Sequence, residues 1–393
     1  MRRLWLYNPE NDIALAFGGA NFTPPRQARL LSLYGAPLMW WMGEEGDGVL
    51  VELLSDDAYR DSAMRWLEET ERRFGRGPAL VADVRKIAVE ECVPWGWSRH
   101  AVRRFLDSGV DERALSAASG LVDCIRMLSH RRSSIAITRA VTAAVGFPSF
   151  GIPEPDLPVE AYGFAETEAF ARRFPGGIYA KSPWSSSGRG VAYLRMEDFD
   201  RDRARIEGIV KAQGSVMVER AFDNIMDFAM LFRSDGVAVS HIGYSRFYNS
   251  RGTAYAGNLV ASEAEIFHEI DSMLPHGLME RLERSLPRIL TQLLERPGTG
   301  TLAYSGCFGV DMMLARDSRA EGGVTLVPCV ELNLRTTMGV VAHSLYRRLM
   351  ASGHLDGSRW QLRMWAGAAD APPDGVPLVP PNPYFNIVLV PAL

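Results

Sequence analysis

Lysine is nearly missing from this chain. Of 43 basic residues only Lys86, Lys181 and Lys211 are lysine, so arginine carries the ordinary surface charge. A lysine kept inside a polar loop is therefore a residue to explain. Cysteine is also scarce. Cys92, Cys124, Cys307 and Cys329 lie far apart with no CxxC spacing. That excludes a zinc ribbon or a disulfide scaffold and fits a reducing, cytoplasmic setting. The seven histidines show no HxxxH or HExxH spacing, so none is assigned to a metal. Excess charge of one sign is absent. A net charge of −4 gives no reason to expect nucleic acid or an anionic membrane as partner. No apolar run approaches the roughly 18–20 residues of a membrane span. The opening "MRRLWLYNPENDIALAF" begins like a signal peptide, but the polar residues from Asn8 to Asp12 break its apolar run.

What is present describes a soluble globular chain. Its 393 residues suffice for two or three domains, and 47% are hydrophobic against 23% charged. Residues 2–7 read as an opening strand, followed by alternating helical and strand patterns, which suggests an α/β unit over 1–115. A mostly helical stretch leads to the proline-rich connector "FPSFGIPEPDLP". A helix at 164–173, a strand at 177–181, a second strand at 190–195, a helix at 197–212 and a strand at 215–219 follow. "NIMDFAMLFRSDGVAVSHIGYSRF" reads as a hairpin turning at Ser-Asp-Gly. A long helix covers 276–296, two strands flank a polar excursion at 316–323, and a helix begins near Met338. The proline-rich tail is expected to wrap the surface and end in a short edge strand. Three consecutive segments are therefore expected: 1–115, 116–215 and 216–393.

Chemistry concentrates in two places. "YAKSPWSSSGRGVAYL" sets Lys181, Ser185, Ser186, Ser187, Gly188, Arg189 and Gly190 between two strands. It is not a P-loop, because its lysine precedes the glycines. Serine hydroxyls and glycine-permitted backbone N–H groups can still line a polyphosphate, with Lys181 as a fixed charge and Arg189 as a fork. The competing reading is a solvated hairpin turn. Further on, "GVDMMLA" places Asp311 in an apolar strand, and "VELNLRTTMG" places Glu331 and Asn333 two residues apart. Residues i and i+2 of a strand share a face, and Arg335 continues that face. If the Asp311 strand pairs antiparallel with this one, three hard oxygen ligands converge, a set that suits Mg²⁺ or Mn²⁺, which complete their shell with water and phosphate. The competing reading is polar residues on a half-exposed sheet. Glu219 ends the strand "SVMVE", and Asp227 follows eight residues later. Carboxylates at such places can accept hydrogen bonds from ribose hydroxyls.

In order and spacing these pieces resemble the ATP-grasp superfamily: a lysine-led Ser/Gly loop, a strand ending V-x-V-E, a later acid, and D…E-x-N. The resemblance covers about residues 120–350, and Asp311 with "ELNLRTTMG" is its most specific part. It implies a pre-ATP-grasp-like N-terminal α/β domain followed by a two-subdomain ATP-grasp fold, α/β and α+β in class. It further implies ATP held between the subdomains. Lys181 would meet the α/β phosphates, the loop 182–190 would cover them as a lid, Glu219 would sit at the hinge and Asp227 on the ribose. Asp311, Glu331 and Asn333 would ligate Mg²⁺, and Arg335 would stabilise the transferred phosphoryl group. Family members commonly carry another lysine before the lid. Here "LSHRRSSIAITRA" offers only arginines, with Arg132 as first candidate and Arg131 and Arg139 behind it. Asp227 is one carbon shorter than the usual ribose glutamate.

The resemblance implies a ligase that turns a carboxylate into an acyl phosphate for attack by an amine or a thiol. A kinase using the same nucleotide site, and a nucleotide-binding regulatory protein without turnover, are the alternatives. The expected partners are a small-molecule carboxylate and an amine, without nucleic acid or membrane, and a homodimer is the candidate assembly. For the substrate, Arg246, Arg251 and Asn258 in "GYSRFYNSRGTAYAGN" are candidates, against ordinary hairpin arginines as the alternative. Asn8, Glu10, Asn11 and Asp12 follow the first strand, where open α/β sheets bind ligands. "PWGWS" at 94–98 reads as packing.

Overall fold

Alternation of apolar and polar residues sets the strands, and apolar residues three and four apart set the helices. In the computed structural model the chain is mixed α/β. The structure describes residues 1–185, 190–249, 255–354, 359–367, 372 and 374–392. In chain order the elements are β1 (Arg3–Leu6), α1 (Asn11–Phe17), α2 (Arg26–Tyr34), β2 (Gly48–Leu50), α3 (Asp57–Phe74), β3 (Ala79–Val81), β4 (Glu91–Pro94), α4 (Arg99–Asp107), α5 (Glu112–Ser119) and α6 (Val122–Leu128). Then come α7 (Ser133–Val145), β5 (Val159–Ala161), α8 (Phe164–Ala171), β6 (Ile178–Lys181), β7 (Val191–Leu194), α9 (Arg203–Gln213), β8 (Val216–Arg220), β9 (Asp223–Ser234) and β10 (Val239–Asn249). The last are β11 (Tyr255–Val260), α10 (Glu263–Asp271), α11 (Leu278–Leu294), β12 (Gly306–Arg316), β13 (Val324–Asn333), α12 (Met338–Ala351), β14 (Trp360–Ala366), β15 (Val376–Pro377) and β16 (Phe385–Pro391). The helix expected at 197–212 is a 3₁₀ stretch, Met196–Asp202, that leads into α9. Among the described residues no helix is long and apolar enough to cross a membrane.

The chain forms two compact units that do not follow its order. One comprises Met1–Ile125, Ala256–Ser262 and Arg335–Leu393; the other comprises Arg126–Tyr255 and Glu263–Leu334. This departs from the three consecutive segments expected, because the last sixty or so residues return to the N-terminal unit. Linear order cannot show such a return.

In the first unit β1, β2 and β4 pair in parallel, and the sheet runs β3-β2-β1-β4. The chain passes from β1 outward through β2 to β3, then places β4 on the other side of β1. Leu4, Leu6, Leu50, Phe105 and Leu115 form the core beneath it. Side-chain caps start four of its helices among the described residues: Asp56 accepts from the Tyr59 N–H at the head of α3, Ser98 from the Ala101 N–H at α4, Asp111 from the Arg113 N–H at α5, and Thr337 from the Val340 N–H at α12. The same unit holds an antiparallel sheet, β11-β14-β16-β15. β16 was expected at an edge. It lies inside that sheet, between β14 and β15, with Ile387, Val388, Leu389 and Val390 buried. The prolines around it mark where the chain enters and leaves the sheet, because proline cannot donate to a ladder.

The second unit contains two antiparallel sheets. The smaller, β5-β8-β6-β7, packs Ile178, Ala180, Val216 and Val218 against Phe164, Phe170, Phe199 and Ile206. The larger run, β13-β12-β9-β10, packs against α7 and α11. Along α11, Leu278, Leu282, Leu286, Leu290 and Leu294 recur at four-residue steps and are fully buried, which is the apolar stripe of a core-facing helix.

Candidate nucleotide and metal site

The smaller sheet of the second unit alternates cleanly. While Ile178 and Ala180 face the core, Tyr179 and Lys181 face the other way. Register places Lys181 opposite Met217 and Tyr179 opposite Glu219, so Glu219 lies diagonally beside Lys181 on one face. The two are ion-paired, with side chains 9% and 19% exposed. The Ser/Gly loop leaves the sheet at this lysine. Its stem is closed by the Ser182 N–H donating to the Gly190 carbonyl, 2.8 Å. Gly190 has φ of 73°, and a Cβ there would lie 2.5 Å from the Ser182 hydroxyl, so this position takes only glycine without strain. The Trp184 N–H and carbonyl are both held by the Gln213 side chain, at 2.9 and 3.1 Å. The Trp184 ring lies edge to face with His130 and beneath the Arg126 guanidinium. Burial and neighbouring arginines push His130 down to about 4. Ser185 is buried. Ser186, Ser187, Gly188 and Arg189 lie outside the described residues.

The larger sheet carries the carboxylates. Asp311 is directly opposite Glu331 across β12 and β13, and Asn333 is opposite Gly309, one step diagonal to Asp311. Glycine at 309 adds no side chain beside Asn333. Across β9 and β10 the row through Asp311 continues to Ala229 and Ser245, and the adjacent row contains Met313, Asp227 and Phe247. All of these residues share one face. Two extra residues on β13 form a bulge between Val327 and Glu331, where Pro328 needs no ladder donor. Bulges re-aim a side chain, and this one adjoins Glu331.

Electrostatics tie the two sheets together. Burial pushes the Asp227 carboxyl up, while bonds from Asn224 and Asn249 and the charge of Lys181 pull it back. The Asn249 amide donates to Asp227 at 2.8 Å. The buried Cys329 thiol is pushed well up, first by burial and then by the charges of Asp311, Glu331 and Glu219, with Lys181 acting against them. The charges of that lysine and of the three carboxylates all reach this thiol. Among the described residues no group of three His, Cys, Asp or Glu is arranged to hold a metal. The candidate set has two carboxylates and the Asn333 amide oxygen. Hard oxygen donors in that number suit Mg²⁺ or Mn²⁺, which complete their shells with water and phosphate.

Other expected residues fall elsewhere. Arg132 is about half exposed and donates to Glu160 at 3.1 Å and towards His130 at 3.2 Å. The arginine that meets the loop is its neighbour Arg131, nearly fully buried. Its Nε donates to the Ser182 carbonyl at 3.1 Å, and its Nη2 to the Ser185 carbonyl and hydroxyl at 3.3 and 3.2 Å. The same Nη2 lies 3.0 Å from Glu331 Oε1. Arg246 was expected to face a substrate. It lies opposite Phe228, on the other face from Asp311, and is ion-paired with Glu269 of α10. Neighbouring residues on a strand point to opposite faces, so Ser245 takes the face that Arg246 cannot. Asn258 is buried in β11 opposite Leu362, within the first unit. Arg251 lies outside the described residues.

Arg335 also belongs to the first unit. β13 ends at Asn333, and the Arg335 Nε donates to Asp12 at 2.8 Å. That contact is part of a buried polar cluster at the carboxyl ends of β1 and β4. Strand order reverses between these two strands, and such switch points are where open α/β sheets bind ligands. The Asn8 amide donates to the Gly96 carbonyl at 2.8 Å, and a Cβ on Gly96 would lie 2.4 Å from Asn11. Glu10 is 2% exposed, 3.5 Å from His100 Nε2 and 3.6 Å from Arg104 Nη1. Among the described residues neither of its oxygens accepts a hydrogen bond, and the Asn11 amide nitrogen likewise finds no acceptor.

No protein-family model and no curated protein sequence matches the chain. Solved structures do. A biotin carboxylase–β-γ-ATP complex from Campylobacter jejuni is 10% identical with a TM-score of 0.50, covering 77% of this chain and 71% of its own. The biotin carboxylase domain dimer of Hydrogenobacter thermophilus 2-oxoglutarate carboxylase, in complex with MgADP, ADP and bicarbonate, is 12% identical, with a TM-score of 0.49 and 84% of each chain covered. Phosphoribosylamine–glycine ligase from Thermotoga maritima is 13% identical, with a TM-score of 0.42, covering 84% of this chain and 89% of its own. The chain has the ATP-grasp fold. At such identities the likeness is one of fold.

Proposed function

We propose that this chain is an ATP- and divalent-cation-dependent ligase that activates a carboxylate as an acyl phosphate for attack by an amine. The observation that supports this best is the register that sets Asp311 opposite Glu331, Asn333 one step diagonal and Asp227 on the same face, with Lys181 ion-paired to Glu219 in the other sheet of the same unit. Phosphoryl transfer needs mainly positioning and charge stabilisation, and this set supplies both. Lys181, fixed at a strand end by Glu219, would hold phosphate oxygens. Ser182 and Ser185 in the loop stem would offer their hydroxyls as donors to the same phosphates. Asp227 would accept from the ribose. Asp311, Glu331 and Asn333 would hold Mg²⁺ or Mn²⁺, which when bound neutralises charge developing on the phosphates. Within the first unit, the polar cluster of Asn8, Glu10, Asn11 and Asp12 is our candidate for holding a polar small molecule, because among the described residues its buried acceptor and donor have unmet hydrogen-bonding capacity.

The test is ADP release over a panel of carboxylic acids and amines. Release that requires both an acid and an amine supports the ligase. A stable phosphorylated product from one substrate alone would replace it with a kinase, and nucleotide binding without ADP release on any pair would remove the catalytic reading.

A further inference from the structure

We infer that Arg131 is a positioning residue that ties the stem of the Ser/Gly loop to Glu331, so that a divalent cation and this guanidinium compete for the same carboxylate. The inference rests on the proposed nucleotide and metal site. Arg131 sits in the short turn between α6 and α7, and its backbone N–H is held by the Pro183 carbonyl at 3.1 Å. Its planar head then grips the stem at Ser182 and Ser185 and reaches Glu331 at 3.0 Å. One buried side chain therefore sets the spacing between two parts separated in sequence by about 150 residues. A lysine could pair with Glu331, but its single compact ammonium lacks the spread fork that spans both carbonyls and the carboxylate at once.

Competition gives this role a signature of its own. An arginine at 3.0 Å compensates the charge on Glu331, which lowers the attraction of that carboxylate for a cation. Removing the arginine should therefore strengthen binding of a bare cation while loosening the loop stem. A residue that only supported the fold would weaken both when removed. A residue that only gripped phosphate would leave the bare cation alone and weaken the nucleotide complex.

The experiment titrates Mn²⁺ into the full chain, alone and with ADP, and follows amide exchange at Ser182 and Trp184. Arg131→Met should bind Mn²⁺ alone about three- to tenfold more tightly than the wild type, with faster exchange at both amides. Arg131→Lys keeps the charge and should bind Mn²⁺ within about twofold of the wild type, yet show the same faster exchange. Melting of both variants checks that they fold, and Arg131→Lys keeps the test open if Arg131→Met does not. Mn²⁺ binding by Arg131→Met that is unchanged or weaker, exchange unchanged in Arg131→Lys, or no Mn²⁺ binding by any of the three proteins would overturn the inference. If the wild type fails to bind Mn²⁺ with ADP, the proposed function itself is lost. If it binds them and Arg131→Met behaves identically, only the role of Arg131 is lost.

Discussion

The sheet β13-β12-β9-β10 has two faces that alternate residue by residue along the same strands, and they carry opposite chemistry. One face holds Asp311, Glu331, Asn333, Asp227 and Ser245; the other holds Phe228, Met230, Phe232, Phe308, Val310, Met312 and Leu332. The apolar face sits against α7 and α11 and gains its stability by leaving water. The polar face also carries the buried Leu231 and Ala229 beside Met313 and Phe247, but its charges gain nothing by leaving water. It keeps its charges by pairing them, as Glu331 with Arg131, or by hydrogen-bonding them, as Asp227 with Asn249. The comparison teaches that stability and chemistry are separated here by strand parity, not by distance. Substitutions one residue apart should therefore fail in different ways.

The largest expected effect is on the polar face. Asp311→Asn should lower nucleotide-dependent ADP release on the order of 10³-fold, while leaving the melting temperature close to that of the wild type. Turnover at the wild-type rate would remove Asp311 from the metal set and break the separation of the two faces. The matching change on the apolar face is Phe308→Ala. Phe308 is fully buried, stacked on Phe232 at 5.6 Å and edge-on to Tyr304 at 5.7 Å. Denaturant unfolding should show a loss of about 3–5 kcal/mol, and nucleotide affinity of the folded protein should hold. A loss of affinity without a loss of stability would reverse the assignment of the faces.

Acid should also distinguish the polar side from the apolar core. His130 under the loop stem is held down to about 4 from its ordinary 6.5. Its neighbours are Arg126, Arg131, Arg132 and Glu160, and burial is the main cause of the shift. A pKa lowered on folding means that the unfolded chain takes the proton first. Stability is then full above about 6.5 and falls as pH drops towards 4, by at most about 3 kcal/mol. His130→Asn should flatten the pH dependence of unfolding in that window. An unchanged slope would place the acid sensitivity elsewhere.

The sequence was legible where chemistry follows local rules. The i, i+2 spacing of Glu331 and Asn333 already put them on one face, and an apolar strand around Asp311 already marked an exceptional acid. Lys181 stood out because lysine is so rare. Pairing of partners was not legible. Arg131 and Arg132 are adjacent in a turn, and only the fold shows which one enters the interior. Glu10 and Arg104 meet through neighbouring parallel strands whose order no local pattern encodes. The return of the C-terminal tail to the first unit was hidden for the same reason: sheet order is a long-range property, while the prolines in the tail are a local one.

Arg246 gives the smallest effect and the most direct test of parity. Composition made it a substrate candidate, since arginines between strands often grip carboxylates. Register places it opposite Phe228, with its charge met by Glu269. Both side chains of that pair are about a quarter exposed, so solvent screens the interaction. Arg246→Ala should therefore cost no more than about 1 kcal/mol of stability, and it should leave nucleotide affinity and the KM for every substrate unchanged. Ser245, one residue earlier, shares its row with Asp311 and Glu331 through Ala229. Ser245→Leu would place an apolar side chain in that row and should weaken Mn²⁺–ADP binding with little change in melting. If Arg246→Ala instead raised a substrate KM several-fold while Ser245→Leu had no effect, the working face of this sheet would be the one now read as its core.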